Sequence, residues 1–141
     1  MSESIQSANA PKAVGSYPHA RRAGNLLFLS GIGPRSATDN GIPGNIHDAG
    51  GNLLSYDIAA QCHAVFANVH SVLESCGADM DDLLDVTVYL TDMEKDFPVY
   101  NRIWAEYFPD SANAPCRTTL GITSLPTPIA IELKCIATAR S

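Results

Sequence analysis

Apolar residues recur every three or four positions between Tyr56 and Cys76, which is the spacing of one buried face of an α-helix. Ser55 can cap the first turn of such a helix, and Asp57 suits the positive end of its dipole. At the other end, Gly77 offers the left-handed conformation that commonly follows a helix. The pattern therefore predicts a helix with both ends marked in the sequence.

Strand-like patterns lie before and after this helix, either as a short apolar run or as alternating positions. The segments are residues 25–31, 85–90, 117–123 and 129–138. Asp96 and Pro98 are expected to open a second helix with an aromatic buried stripe. That stripe comprises Phe97, Tyr100, Trp104 and Tyr107.

Two segments lack this periodicity. Residues 1–13 are small and polar and are expected to form a mobile lead-in. Residues 33–55 contain five glycines and two prolines, which predicts a long loop with a hairpin at residues 48–52. Loops of this length in compact domains are often lids or binding loops.

Two helices can cover only one face of the predicted sheet, so the other face is left partly open in a lone chain. We place Arg117, Glu132 and several threonines on this mixed face. The pattern predicts one α+β domain over residues 1–141, a sandwich with a mostly antiparallel sheet. The open face is expected to pack against other subunits.

The composition is that of a globular protein. The chain has 141 residues, 45% hydrophobic and 17% charged, as expected for one folded domain. It contains neither an apolar run of membrane-spanning length nor a secretory signal pattern, so we expect a soluble, cytoplasmic protein that binds no membrane. Nine Lys and Arg against fifteen Asp and Glu give a net charge of −6, which disfavours a nucleic-acid partner.

Common cofactor and metal motifs are absent from the sequence. It has no nucleotide-binding glycine motif, no HExxH and no zinc deaminase signature, so we expect no cofactor and no metal. The four cysteines form no CxxC pair and are interpreted as reduced, mostly buried thiols, with Cys116 a weak candidate nucleophile. His63 and His70 share the polar face of the predicted helix with Glu74 and are interpreted as surface residues.

Arg117 and Glu132 are the strongest candidates for chemistry. A partly enclosed arginine on a strand requires an anion, which is either an internal carboxylate or the carboxylate of a ligand. Glu132 lies among apolar residues, where burial raises a carboxyl pKa and suits it to proton transfer. A salt bridge from Glu132 to Arg117 or Lys134 is an equally good alternative. Ser30 ends its strand, where it can bind a ligand or fix a turn.

Several short motifs together resemble the Rid proteins, the reactive intermediate deaminases also called the YjgF/UK114 family, over about residues 14–140. They are Gly15-Ser16-Tyr17, Leu29-Ser30-Gly31, Asp57-Ile58-Ala59-Ala60-Gln61 leading to Asn68-Val69, Tyr100-Asn101, Pro115 with Arg117, and Leu125-Pro126 followed by Ile131-Glu132. The resemblance implies a chorismate-mutase-like fold and a homotrimer whose three sheets form a central barrel. It places the sites in clefts between subunits.

The resemblance also implies residue roles. The family's carboxylate-binding arginine falls on Arg117, and its water-orienting glutamate falls on Glu132. Other positions that line the family's site match Tyr17, Ser30, Gly31 and Asn101. A cysteine found in many members is Thr119 here, so the substrate preference of the best-known members does not carry over directly.

A further set of motifs looks like the 2-aminomuconate deaminase branch of this family. They are Tyr17-Pro18-His19-Ala20-Arg21-Arg22, Gly41-Ile42-Pro43-Gly44, residues 100–108 and Leu125-Pro126-Thr127-Pro128. The likeness implies hydrolysis of the enamine or imine 2-aminomuconate to 4-oxalocrotonate (2-oxohex-3-enedioate) and ammonia in aromatic compound degradation. The alternatives are a general deaminase of 2-iminobutyrate and 2-iminopropanoate, or a noncatalytic carboxylate-binding trimer.

The implied mechanism needs two groups in one place. Arg117 would clamp the C1 carboxylate, while Glu132 would deprotonate a water and return the proton to the departing ammonia. The candidates for binding the second carboxylate are His19, Arg21, Arg22 and Arg35. We expect Arg117 and Glu132 to converge in one water-poor cleft at a subunit junction. Side chains that face opposite ways would remove this site.

Overall fold

A computed structural model describes residues 2–140 of the chain. The elements are β1 (Ser2–Ile5), β2 (Ala20–Ala23), β3 (Leu26–Leu29), β4 (Ile46–His47), β5 (Leu53–Ser55), α1 (Ile58–Ser75), a short 3₁₀ turn (Met80–Asp82), β6 (Leu83–Leu90), α2 (Met93–Tyr107), β7 (Cys116–Gly121) and β8 (Ile131–Thr138).

Six strands form one sheet in the order β1-β2-β3-β8-β6-β7. Neighbouring strands are antiparallel except for β6 and β7, which run parallel. β4 and β5 form the hairpin predicted around residues 48–52. Both helices contribute to a single core on one face of the six-stranded sheet. The predicted α+β sandwich with a mostly antiparallel sheet is therefore confirmed.

The core lies between the helices and the inner face of the sheet. Leu29, Val88 and Leu133 from the sheet, and Val65 and Val69 from α1, are almost completely buried. Removing each such side chain from water stabilises the fold by about 1.5–3 kcal/mol. Within residues 2–140, no helix has the length and apolar character to cross a bilayer.

The ends of α1 agree only in part with the sequence prediction. Asp57 is the N-cap, because its Oδ1 accepts a hydrogen bond from the Ala60 amide at 3.1 Å. Ser55, the expected cap, instead ends strand β5. Gly77 has a φ of 75°, and its amide donates to the carbonyl of Glu74. The left-handed stop is therefore confirmed, and the position of the cap is corrected.

The expected start of α2 at Asp96 and Pro98 is wrong. Asp92 caps the helix, accepting a hydrogen bond from the Lys95 amide at 3.1 Å. Pro98 lies inside the helix, where its missing N–H leaves one helical hydrogen bond unmade. Asp96 is buried, and its Oδ2 accepts a hydrogen bond from the Tyr56 hydroxyl at 2.6 Å.

The N-terminal segment is part of the sheet. β1 pairs with β2 along its whole length, and Ser7 and Ala10 are buried behind it. The mobile lead-in expected over residues 1–13 is therefore wrong for the residues that the structure describes. This edge strand is held by backbone hydrogen bonds to β2. Its side chains are mostly exposed, so the sequence lacks the apolar alternation by which a strand is predicted.

The register along β6 determines which side chains share a face. Arg117 lies opposite Val86, which points into the helix-covered core. Glu132 lies opposite Tyr89, an odd number of positions from Val86, and so on the other face. Arg117 and Glu132 therefore project from opposite faces of the sheet. Their placement on one shared mixed face was wrong.

The face on the side of Glu132 is not covered by the helices. Phe28, opposite Ile136 on β8, is 39% exposed, and Leu120, opposite Tyr89, is 43% exposed. Apolar side chains thus remain open to solvent on both halves of this face in the single chain. The predicted open face is present, and its contact with other subunits stays a prediction.

Candidate active site

Glu132 lies beside the backbone that follows β3. A Cβ at Gly31 would lie 2.9 Å from Oε2 of Glu132. Only glycine at this position therefore avoids a steric clash with the carboxyl. Lys134, a predicted alternative partner, donates instead to the carbonyl of Leu29. Burial raises the pKa of Glu132 above its ordinary value, which brings the group closer to the range useful for proton transfer at neutral pH.

A cavity of about 90 Å³ opens in front of Glu132. Its walls come from the segment before β2, the turn after β3 and the loop before β8. Five of the predicted site residues line it, namely Tyr17, His19, Ser30, Gly31 and Glu132. Tyr17 is 41% exposed. The structure thus brings these residues of the sequence prediction together around one cavity.

Two of these residues are engaged by the protein itself. The Ser30 hydroxyl donates to the Pro18 carbonyl at 2.7 Å, which is the turn-fixing alternative and leaves its oxygen able to accept. The His19 ring accepts from the Ser7 amide at Nδ1, at 2.9 Å, and donates to the Pro11 carbonyl from Nε2, at 2.7 Å. The expectation that His19 offers a free cation to a substrate is therefore corrected.

Among the arginines expected near a second carboxylate, Arg35 lines the cavity. It donates to Asn40 Oδ1 at 2.7 Å and to the Lys12 carbonyl, both neutral acceptors. Arg21 is exposed on β2. Arg22 donates from Nε to a carbonyl of the adjoining turn at 3.3 Å. The geometry therefore favours Arg35 over the two arginines of β2.

Arg117 lies against aromatic rings on the helix-covered side of the sheet. Its Cζ is 5.0 Å from the ring centroid of Trp104, 5.3 Å from that of Tyr100 and 5.9 Å from that of Phe97. Such rings stabilise a guanidinium by cation–π attraction. The ion pairs found in residues 2–140 do not include Arg117. Its charge is thus supported while its N–H donors stay free of any described carboxylate.

Tyr100 also belongs to this site, although its sequence pattern predicts only a residue of the buried stripe. The residue is buried, and its hydroxyl has no hydrogen-bond partner in the described part of the chain. Burial raises the pKa of Tyr100, while nearby Thr119 and Arg117 act in the opposite direction. Thr119 lies on the same face as Arg117, opposite Val88, and Asn101 is exposed on α2. One sequence signal could have indicated its role. Phe97, Tyr100 and Trp104 recur at helical spacing, and their rings form one surface that Arg117 can contact.

The predicted site is therefore divided into two parts. The Glu132 half-site comprises Tyr17, Ser30, Gly31 and Glu132, and the Arg117 half-site comprises Tyr100, Arg117 and Thr119. No described contact joins Asn101 to either half-site. Because they lie on opposite faces of the sheet, one chain does not bring its own Arg117 and Glu132 into a single cleft. The mechanism in which both groups come from the same chain is withdrawn.

The cysteines and surface histidines play no part in either half-site. All four thiols are free, and burial raises the pKa of both Cys62 and Cys135 to about 12. Cys116 is exposed, so the expectation of mostly buried cysteines fails at that residue. His63 and His70 are exposed as predicted.

The two helices packed on a mostly antiparallel sheet place this protein in a structural class, the α+β proteins with the chorismate-mutase-like fold. The family model described as Endoribonuclease L-PSP matches residues 7–139. The chain therefore belongs to this family, which includes the Rid and YjgF proteins, and the predicted resemblance is confirmed at that level.

Individual relatives agree with this assignment. A RutC family protein of Pyrococcus horikoshii is 37% identical over 137 residues, which cover 97% of this chain and 98% of that protein. Reactive Intermediate Deaminase A, a chloroplastic protein of Arabidopsis thaliana, is 35% identical over 96% of this chain and 65% of its own. The crystal structure of the E. coli YjgF gene product superposes with a TM-score of 0.81 at 28% identity, covering 98% of this chain and 99% of that one.

Proposed function

We propose that this protein hydrolyses 2-aminomuconate to 4-oxalocrotonate and ammonia in the degradation of aromatic compounds, in a site completed by two subunits of a homotrimer. The proposal depends on one observation. Each half-site offers one group that such a substrate could bind, a guanidinium without an ion pair in one and a carboxyl beside a cavity in the other. Arg117 has no ion-pair partner in residues 2–140, and Glu132 is a half-buried carboxyl with a raised pKa beside a cavity. A planar carboxylate substrate supplies the anion that a guanidinium binds through two parallel hydrogen bonds.

The chemistry requires positioning and proton transfer. The enamine equilibrates with its imine, whose C2 is electrophilic. Water adds to C2 as Glu132 accepts its proton, and Glu132 then passes this proton to the nitrogen, which gives a neutral carbinolamine and restores the carboxylate. When this intermediate collapses, the hydroxyl proton passes through Glu132 to the nitrogen, the C–N bond breaks and ammonia leaves. Imine and water thus give ketone and ammonia.

Each end of the dicarboxylate has a proposed partner. Arg117 of one subunit binds the C1 carboxylate next to the reacting carbon, in reach of Glu132 of the neighbouring subunit. Arg35 lines the Glu132 cavity and donates only to neutral acceptors, so it is proposed to bind the far carboxylate. Clamping both ends would favour a six-carbon dicarboxylate over a short imino acid.

The open face of the sheet supports assembly. Phe28, Leu84 and Leu120 are 39%, 44% and 43% exposed, and an uncovered apolar sheet face of this kind favours contact with further copies of the chain. Three sheets that close into a barrel would cover this face and bring each Glu132 half-site toward a neighbour.

Mixed trimers test the shared site. Arg117→Ala and Glu132→Gln chains are each expected to be inactive alone, and co-refolding them in equal amounts should restore about one quarter of the wild-type ammonia release, because one interface in four then has both groups. A site built within one chain gives no recovery, since no subunit in the mixture carries both groups.

The name of the Arabidopsis relative favours a second candidate, a general deaminase of 2-iminobutyrate and 2-iminopropanoate. Both reactions use the same two groups, and they differ in the need for a second cation. Rates measured side by side on 2-aminomuconate and 2-iminobutyrate, with wild type and Arg35→Ala, separate them. The six-carbon reaction should lose rate in the variant, whereas the short substrate should not.

A noncatalytic carboxylate-binding trimer is the remaining alternative. In that case Glu132→Gln would leave both carboxylate binding and any ammonia release unchanged. We do not propose ribonuclease activity despite the description of the family model, because a net charge of −6 with nine Lys and Arg is poorly suited to binding a phosphate backbone.

A further inference from the structure

Residues 7–14, here called the strap, run along the cavity in front of Glu132. The strap residues from Ala10 to Val14 form one wall of this cavity. At its start, Ser7 is only 5% exposed, and the Ser75 hydroxyl of α1 donates to the Ser7 hydroxyl at 2.8 Å. The position of the strap therefore determines the shape of the cavity.

His19 fastens the strap at two points. Its Nδ1 lies 2.9 Å from the Ser7 amide nitrogen, and its Nε2 lies 2.7 Å from the Pro11 carbonyl oxygen. A backbone N–H can only donate, so Nδ1 carries no proton, and a carbonyl oxygen can only accept, so Nε2 carries one. The geometry therefore requires the neutral ring with its proton on Nε2.

The same residue connects the strap to the carboxyl. The His19 carbonyl accepts a hydrogen bond from the Ser30 amide at 3.0 Å. Ser30 is followed by Gly31, whose α-carbon borders the Glu132 carboxyl. A displacement of the strap is thus coupled through one short backbone segment to the group proposed to activate water.

The charged groups around this ring come from several elements. Lys12 on the strap, Arg35 from the loop after β3 and Glu132 from β8 line the same cavity as His19. His19 directly precedes β2, which carries Arg21 and Arg22, and Arg22 faces Glu3 across the β1–β2 pair.

Three further ionisable groups complete this environment. Tyr17 also lines the cavity. On α1, His70 and Glu74 pair with each other at 3.6 Å and are exposed. Whatever the balance of these charges, a proton on Nδ1 removes the lone pair that accepts from Ser7.

We infer that His19 is a positioning residue for the proposed reaction: its neutral ring orders the start of the strap, and a proton on Nδ1 removes the hydrogen bond from the Ser7 amide and loosens the segment that leads into the cavity wall at Ala10. The Pro11 contact survives protonation, because Nε2 still donates. The release is therefore confined to the N-terminal half of the strap. The kinetic part of this inference rests on the proposed function, whereas the structural part does not.

Hydrogen–deuterium exchange at the Ser7 amide tests the structural part. Exchange is followed between about pH 8 and pH 5, the interval in which histidines change charge, and is corrected for the intrinsic pH dependence of exchange. Protection in the wild type should fall by about tenfold over this interval, as expected for the loss of one backbone hydrogen bond.

Two variants decide the role of the ring. His19→Gln keeps an acceptor for Ser7 and a donor for Pro11 without a titrating group, so its protection should be the same at every pH. His19→Ala lacks both and should be unprotected throughout. Constant protection in the wild type, or an acid-dependent loss in His19→Gln, would overturn the inference.

The pH profile of the reaction provides the second readout. In the wild type, KM should rise in acid as the strap releases, in addition to the loss of kcat that accompanies protonation of Glu132. His19→Gln should remove the change in KM and keep the change in kcat. If no substrate is deaminated at all, the proposed function fails while the exchange experiment still decides the role of His19.

Discussion

At the residue scale, the Glu132 carboxyl lies directly beside Gly31. A Cβ at Gly31 would meet Glu132 Oε2 at 2.9 Å. Because that oxygen ends a flexible side chain, the carboxyl can move aside at little cost to the fold. We expect Gly31→Ala to lower kcat at least about tenfold by displacing the group that transfers protons, with the free energy of unfolding changed by less than about 1 kcal/mol.

Gly50→Ala is the matched control for this change. Gly50 lies in the β4–β5 hairpin, where an added Cβ would make ordinary contacts at 3.4 Å. Steady-state ammonia release and urea unfolding on both variants are the measurements. Equal activity in the two variants would show that the position of the Glu132 carboxyl does not matter for the reaction.

The raised pKa of Glu132 leads to a prediction about stability. The folded chain binds this proton more tightly than the unfolded chain, because burial raises the carboxyl pKa above its ordinary value of 4.5. Ionised Glu132 therefore lowers the free energy of unfolding at neutral pH. We expect Glu132→Gln to be more stable than the wild type at neutral pH, although its rate falls by about 100-fold or more.

This gain in stability should vanish in acid. Once the pH falls below the pKa of the unfolded glutamate, both chains are neutral at this position, and their free energies of unfolding should coincide. Urea unfolding at several pH values measures the difference, with the exposed Glu106→Gln as control. A variant that is less stable at every pH would mean that Glu132 has a structural role.

The sequence predicted the Glu132 half-site better than the Arg117 half-site. The local pattern and the family resemblance both indicate Ser30 and Glu132, and the resemblance adds Gly31. These residues meet because β3 pairs directly with β8. The face of Arg117 depends on the register between β6 and β7, which alternation within β7 does not encode. The sequence predicts Tyr100 only as a buried residue of α2. The helical spacing of apolar residues is the same whether the helix packs on aliphatic side chains or on a guanidinium.

At the scale of the element, α1 depends on a cap that the sequence left ambiguous. Ser55 and Asp57 are both suitable residue types, and the structure assigns the cap to Asp57. Loss of such a cap typically costs about 1 kcal/mol. We expect Asp57→Ala to lower the free energy of unfolding by about that amount and Ser55→Ala to change it by only a few tenths. Urea unfolding of both variants makes the comparison, and equal losses would refute the assignment.

Elements with strong periodicity were predictable, and those fixed by partners were not. The pattern identified α1, β6 and β8, each with a continuous buried face. β1 and β2 are four residues each and carry polar or charged side chains, so only their backbone pairing reveals them. The start of α2 was predicted too late, because proline is common in the first turn of a helix. Here Pro98 lies inside the helix, and Asp92 is the N-cap.

At the scale of the whole molecule, the separation of the two half-sites predicts that the reaction requires an oligomer. One chain presents a carboxyl on its open face and an arginine on the other face, so a substrate that needs both must be bound between chains. The proposed trimer therefore links activity to association. A variant that dissociates should lose activity even when both catalytic groups are intact.

Phe28 is the position at which this link is most easily tested. It is 39% exposed on the open face, where a buried carboxylate at a subunit contact would be strongly unfavourable. We expect Phe28→Asp to shift the mass in sedimentation from about 45 kDa to that of the 15.0 kDa chain, and to abolish ammonia release. Leu54→Asp, at a 64% exposed site on the β4–β5 hairpin, is the control and should keep both properties. An active Phe28→Asp monomer would show that the reaction needs no second subunit, and would remove the shared site.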